Sequence, residues 1–319
     1  MVKTAFVFPG QGSQRVGMGD EIVALHPELL DRYYRPADEL LGFPLSELCR
    51  EGPAAALKEM AVTQPAVLLT SVAVLDAVRT EGAGPDVVAG HSLGEFSAMV
   101  AAGVLDWRAA LKLVRLRGEL MASVNDEVAG KMAAVVGLEL ADVERMCEQV
   151  AADTGLVIEV ANHNDVRQVV VAGQTAAVDR LMADAEQAGA DRIVELEIGG
   201  PAHCSLLRGI ESRFAAALDE VEFRDPAIPV FSAITAEPVR TAAEARARLL
   251  DQLTRRVRWT ETVQAMAGSR VSRFVEVGPG KVLSKLCGRI RPDAQTFRTN
   301  DAAQFRRAVA ALSGRTHAA

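Results

Sequence analysis

The sequence predicts an α/β protein in which a small β-α-β-β-α-β unit interrupts a larger α/β domain. Three observations carry that prediction. First, the apolar run Val87-Val88-Ala89 passes through Gly90-His91-Ser92-Leu93-Gly94 into a helical pattern from Glu95 to Gly103. A strand, a sharp turn and a helix therefore follow one another. Second, from about residue 128 to 198 the pattern reads strand, helix, strand, strand, helix, strand, the ferredoxin-like order. Third, short apolar strands ending in Gly/Pro turns occur on both sides of that unit: Lys3–Phe8 before Pro9-Gly10, and Arg273–Val277 before Gly278-Pro279-Gly280. Residues 1–127 and 199–319 are thus assigned to one discontinuous core domain and 128–198 to the insert.

Taken in order, Lys3–Phe8 is a buried first strand, and Pro9-Gly10-Gln11-Gly12-Ser13-Gln14 is a tight turn rich in backbone N–H groups. Its glycines fit neither G-x-G-x-x-G nor G-x-x-x-x-G-K-[ST], so a phosphate loop is not expected. Residues 21–57 read as helices broken at Pro27, Gly42-Phe43-Pro44 and Gly52-Pro53. Thr63-Gln64-Pro65 precedes a long apolar helix, Ala66–Arg79, expected to pack inside the domain. Trp107–Met121 is a further helix, on which Arg115 and Arg117 cannot share a face. In the insert, strands are expected at 132–138, 157–162, 168–173 and 192–197, with helices at 140–152 and 175–188. Beyond it, the loop Gly199–Cys204 leads to a helix at 206–218. A strand at 229–233, helices at 242–253 and 260–267, the 273–277 strand and a helix at 281–287 follow. Gly314–Ala319 is expected to fray.

At 319 residues, 49% hydrophobic and 24% charged, the chain has the composition of a globular enzyme with a large core. A net charge of -7 and a pI near 5.4 offer nucleic acid no basic surface. The local basic runs, Arg255-Arg256-Val257-Arg258 and Arg289-Ile290-Arg291, read as solvated faces. Cys49, Cys147, Cys204 and Cys287 are widely spaced, which speaks for a reducing compartment and against a disulfide framework or structural zinc. No signal peptide and no membrane-spanning stretch is read, so a cytoplasmic enzyme without membrane partners is expected.

Gly-x-Ser-x-Gly between a strand and a helix is the pattern of a nucleophile elbow. The glycines permit the turn that holds the hydroxyl out, and the helix N-terminus places amide dipoles where an oxyanion would form. Such a serine needs a base within reach. Of His26, His91, His163, His203 and His317, the one in the Gly/Pro loop after the insert, His203, is best placed to reach Ser92. No acidic residue stands out as a third member. Asp106, Asp219 and Glu276 are candidates by order alone, and a backbone carbonyl or amide side chain could orient the imidazole instead. No histidine pair has metal-ligand spacing.

Four stretches together resemble malonyl-CoA:acyl carrier protein transacylases, the stand-alone acyltransferases of fatty-acid and polyketide synthesis. They are Phe8–Gln14, Gly90–Ala98, Arg117-Gly118 and Glu276–Leu283, in the family's order from about residue 3 to 290. The resemblance implies an α/β-hydrolase-like core with a ferredoxin-like insert. It also implies ping-pong transfer through an acyl-Ser92 with His203 as base. The donor would be malonyl-CoA and the acceptor the phosphopantetheine thiol of an acyl carrier protein, with no cofactor bound to the enzyme. By the same resemblance, the amides of Gln11 and Leu93 form the oxyanion hole, and Arg117 pairs with the malonyl carboxylate. Asn162, Gln252, His91 and Ala202 shape the pocket. A planar guanidinium suits a carboxylate because two parallel hydrogen bonds can form.

This sequence departs from the family at several points. Ala202 stands where relatives often have Ser or Phe, leaving room for a substituent on the malonyl α-carbon. Leu93 matches the malonyl-selective form. Lys131 replaces a small residue, and Asn162–Arg167 is unusually polar. The rival readings are a hydrolase of acyl carrier thioesters, a discrete polyketide-synthase acyltransferase with an unusual acyl unit, and a silent docking subunit. Arg117 speaks against the first, and the intact Ser92, His203, Gln11 and Arg117 set against the last.

Overall fold

The computed structural model describes residues 2–313; the expected frayed tail, with His317, lies outside the described residues. Among the described residues the strands are β1 (Lys3–Phe8), β2 (Val87–Gly90), β3 (Gly130–Val136), β4 (Ile158–Asp165), β5 (Gln168–Gln174), β6 (Arg192–Glu195), β7 (Val230–Phe231), β8 (Pro238–Val239), β9 (Val271–Glu276) and β10 (Gln295–Arg298). They form two sheets, one in the order β10-β9-β1-β2-β7-β8 and one in the order β4-β5-β3-β6. The first is parallel except for the β7–β8 hairpin. The second is antiparallel throughout, with the strand order of a ferredoxin-like unit.

Strand β1 lies inside the parallel sheet, and its side chains alternate between two apolar clusters. Phe6 and Phe8 join one and Ala5 and Val7 the other. Burial on both faces explains why the strand is a continuous apolar run. The antiparallel sheet has a third cluster of its own, formed with helices Leu140–Thr154 and Thr175–Gln187.

Several expectations are corrected. The apolar helix runs over Met60–Thr80 and contains Pro65 instead of starting after it. Proline has no N–H to give the carbonyl four residues back. That carbonyl, of Ala61, accepts a hydrogen bond from Arg115 Nη1 at 2.8 Å instead. By length and composition this helix could cross a membrane, contrary to the sequence reading, but 89% of its most apolar window is buried inside the protein. Helix Trp107–Glu127 crosses it so closely that a Cβ on Gly118 would lie 2.4 Å from the Met60 carbonyl oxygen. Strands β8 and β10 and the helix Ala302–Leu312 were not read from the sequence. They are short or edge elements whose burial depends on neighbours distant in the chain.

The basic runs are not simply solvated. Arg256 pairs with Glu144, Arg258 lies 3.5 Å from Glu261, and Arg289 bridges to Asp165 at 2.8 Å. Arg256–Glu144 and Arg289–Asp165 tie the insert to the core. Beside them, the His163 amide donates to Val257 O and the Val257 amide to Ala161 O, each at 2.8 Å. The insert is therefore stitched to the core along β4. His163 belongs to that strand, and His26 is buried.

Candidate active site

The elbow is fixed by crowding. A Cβ on Gly90 would lie 2.0 Å from the Gly94 carbonyl carbon, and one on Gly94 would lie 2.0 Å from Phe8 O. Only glycine allows β1, β2 and the helix Gly94–Ala101 to approach this closely. Between them Ser92 adopts φ 52°, a left-handed conformation that costs a non-glycine residue energy and projects its side chain from the turn. His203, in the loop after β6, is also left-handed, at φ 58°.

These two backbones bring Ser92 Oγ within 2.6 Å of His203 Nε2. On the other side of the ring, His203 Nδ1 is 2.7 Å from the backbone carbonyl of Gln252. A carbonyl can only accept, so Nδ1 carries the proton and Nε2 is free to accept from the serine. Among the described residues, no carboxylate orients the imidazole. Asp106 caps the helix Trp107–Glu127 through the Arg108 amide, Asp219 pairs with Arg246, and Glu276 accepts from the Ser284 amide at 2.8 Å. Burial first, and the Arg117 cation second, push the His203 imidazole down to about 3. It is therefore neutral, as a base must be.

Arg117 projects from the helix Trp107–Glu127 and is only 2% exposed. Its Nη1 donates to Gln64 Oε1 at 2.8 Å and its Nη2 to Gln252 Oε1 at 3.1 Å, with Nη2 also 3.5 Å from Ser92 Oγ. Its Nε has no partner among the described residues. Burial lowers the guanidinium to about 10, which leaves it charged at neutral pH, and the Glu95 carboxylate opposes that shift. A desolvated cation beside a nucleophile, held by neutral amides, is suited to receive an anionic group on the substrate.

A cavity of about 210 Å³ is lined by Gln11, His91, Ser92, Leu93, Arg117, Asn162, Ala202 and His203. Gln252 is fully buried behind it, between Arg117 and His203. The structure thus gathers the residues that the resemblance assigns to the site, whereas Asp106, Asp219 and Glu276 are engaged elsewhere. Among the described residues, neither the Gln11 nor the Leu93 amide donates to a backbone or side-chain acceptor. The Gln11 side chain is tied to Ile198 O at 2.8 Å. His91 turns toward the insert, where Nε2 meets Asn164 Oδ1 at 2.7 Å and the ring packs against Trp259.

Sequence reasoning missed Gln64, Asn164 and Glu95. Gln64 and Glu95 are each a long polar side chain in a mostly apolar helical run, which is the available signal. Among the described residues, no group of three or more His, Cys, Asp or Glu side chains converges as a metal site.

A serine on an elbow, a neutral histidine 2.6 Å away and two residues with unengaged amides lining the same cavity form an arrangement suited to acyl transfer through the serine. The chain belongs to the acyl transferase family, whose domain model matches residues 5–302. It is 41% identical over 307 residues to the malonyl CoA-acyl carrier protein transacylase of Haemophilus influenzae, covering 96% of this chain and 97% of that protein. The protein of the same name from Bacillus subtilis is 36% identical, with 98% of each chain covered. Among solved structures, the malonyl CoA-acyl carrier protein transacylase of Coxiella burnetii superposes with a TM-score of 0.93 at 34% identity, covering 98% of both chains. A type II polyketide-synthase malonyl-transacylase solved with its acyl carrier protein gives 0.93 at 37%, over 98% of this chain and 99% of that one.

Proposed function

We propose that this protein moves a malonyl group from coenzyme A to the phosphopantetheine thiol of an acyl carrier protein, by way of an acyl-Ser92. The observation that carries this reading is the buried Arg117 guanidinium 3.5 Å from the hydroxyl that His203 engages. The similarity to malonyl transacylases over nearly the whole chain supports it.

In the first half-reaction, Ser92 Oγ attacks the thioester carbonyl carbon as its proton passes to His203 Nε2. The carbonyl oxygen becomes an oxyanion facing the Gln11 and Leu93 amides. The C–S bond then breaks, and the coenzyme A thiolate takes the proton back from His203. In the second half-reaction, the carrier thiol gives its proton to His203 and attacks the acyl-serine. Collapse of that intermediate returns the proton to Ser92. Arg117 holds the malonyl carboxylate through both, with Asn162, His91 and Ala202 forming the walls. The sequence of steps requires no cofactor on the enzyme. A cytoplasmic location goes with this reading, because both substrates are intracellular thioesters.

The domain division 1–127 with 199–319, and 128–198, is part of the same proposal. It is supported by β3–β6 pairing among themselves, save one bridge between Asn162 and Val257.

Intact mass after mixing with malonyl-CoA, then with holo carrier protein, tests the proposal. A malonyl adduct that moves to the carrier is expected. An adduct lost to water without carrier loading would make the protein a hydrolase, and no adduct would remove the acyl-serine altogether.

A further inference from the structure

We propose that Glu95 is a positioning residue for malonyl transfer: it fixes the direction of the Gln252 amide, which in turn holds Arg117 beside Ser92. This rests on the function proposed above and adds to it a residue that touches neither the hydroxyl nor the imidazole.

Glu95 lies in the first turn of the helix that begins at Gly94, and it is 0% exposed. Its Oε2 accepts from Gln252 Nε2 at 2.7 Å. The same nitrogen donates to the Ser92 carbonyl at 3.0 Å, and Gln252 Oε1 accepts from Arg117 Nη2 at 3.1 Å. The amide's two N–H groups and its oxygen are therefore all used, each in one direction only.

The two ends of an amide are unlike: one only donates and the other only accepts. An acceptor at Glu95 draws the nitrogen to itself and leaves the oxygen for the guanidinium. With the amide reversed, its NH₂ would oppose the Arg117 Nη2 donor, and its oxygen would face the Ser92 carbonyl and the ionised Glu95 carboxylate. These contacts are repulsive in a buried setting, where unmet polar groups are costly. Because Gln252 also supplies the carbonyl that orients His203, one residue sets the two halves of the site. Its side chain governs the carboxylate clamp and its backbone governs the base. Glu95 acts on the side-chain half.

A structural role alone would weaken all substrates alike, whereas a role through Arg117 weakens those with a carboxylate. The experiment compares kcat and KM for malonyl-CoA and acetyl-CoA, with holo carrier protein, in Glu95→Leu and Glu95→Gln. Glu95→Leu is expected to lose about tenfold more kcat/KM for malonyl than for acetyl, mainly through KM. Glu95→Gln keeps an acceptor for Gln252 Nε2 and is expected to stay within about threefold of wild type. In an Arg117→Ala background, Glu95→Leu should no longer change the malonyl-to-acetyl ratio. Equal losses for the two substrates, or an undiminished ratio change without Arg117, would overturn the role of Glu95. If Glu95→Leu does not accumulate as folded protein, Gln252→Met removes the amide itself and should show the same selective loss. Wild type that takes up no malonyl would instead overturn the function, whereas transfer by wild type with equal losses in the variant removes only Glu95.

Discussion

The parallel sheet built on β1 and the antiparallel sheet built on β3 and β5 both border the cavity, yet they contribute different chemistry. The core domain supplies Ser92, His203, Arg117 and Gln252, together with the Gln11 and Leu93 amides. The insert supplies wall: Met132, Val170, Asn162 and Asn164. The difference follows from packing. Strands β1 and β2 are buried on both faces and leave their ends no freedom, so a side chain at the end of β2 is aimed to within a rotamer. The insert is held along β4 by backbone hydrogen bonds and ion pairs, so it shapes the space without setting the reacting atoms.

Substitutions on the two sides should therefore differ in scale. Ser92→Ala, on the core side, removes the nucleophile. Intact-mass analysis should find no malonyl adduct, with transfer down by ~10⁴-fold or more. Persistence of the adduct would mean that another residue carries the acyl group. Arg117→Ala comes next, with malonyl kcat/KM expected to fall by ~10²-fold while acetyl is spared, the scale of a buried charge-assisted pair. Loss of both substrates to the same degree would deny it the carboxylate.

Asn164→Ala, on the insert side, removes the partner of His91 and should cost about tenfold for either acyl group. A loss as large as that of Ser92→Ala would abolish the distinction between wall and chemistry.

The remaining expected effect falls on folding stability rather than on turnover. Burial raises the Glu95 carboxyl to about 7 from an ordinary 4.5. The folded state therefore holds this proton more tightly than the unfolded state, and stability drains away as pH rises from 4.5 through 7. Glu95→Gln lacks that loss, so against wild type it should gain up to about 3 kcal/mol between pH 5 and pH 8. His203 acts with the opposite sign, adding stability as pH rises from about 3 toward 6.5, but it is common to both proteins and cancels. Urea midpoints at the two pH values measure the difference. A gap that does not change with pH would mean that Glu95 titrates normally.

The parts of this molecule that could be read from sequence were those enforced locally. Gly90 and Gly94 flank Ser92 within five residues, and the close approach that requires them is a property of that one turn. The insert was readable because its central strands are short apolar runs and its helices are amphipathic over their own length. His203 could be proposed from chain order, though its distance to Ser92 is set by a fold spanning 111 positions. Gln64 and Glu95 gave only the weak sign of a polar residue in an apolar run, because their partners, Arg117 and Gln252, lie 53 and 157 positions away. Pro65 misled for a similar reason: the group that relieves its missing N–H, Arg115, sits on another helix.

The small volume of the cavity, about 210 Å³, bears on the order of events. Pockets that enclose whole ligands usually span ~300–1,000 Å³. This one is a single berth, with space for an acyl unit and the tip of the arm that delivers it. Donor and acceptor bring chemically similar arms to the same opening, so one must leave before the other arrives. In the proposed scheme this favours alternation of the two half-reactions, and coenzyme A should compete with the carrier for the acylated enzyme.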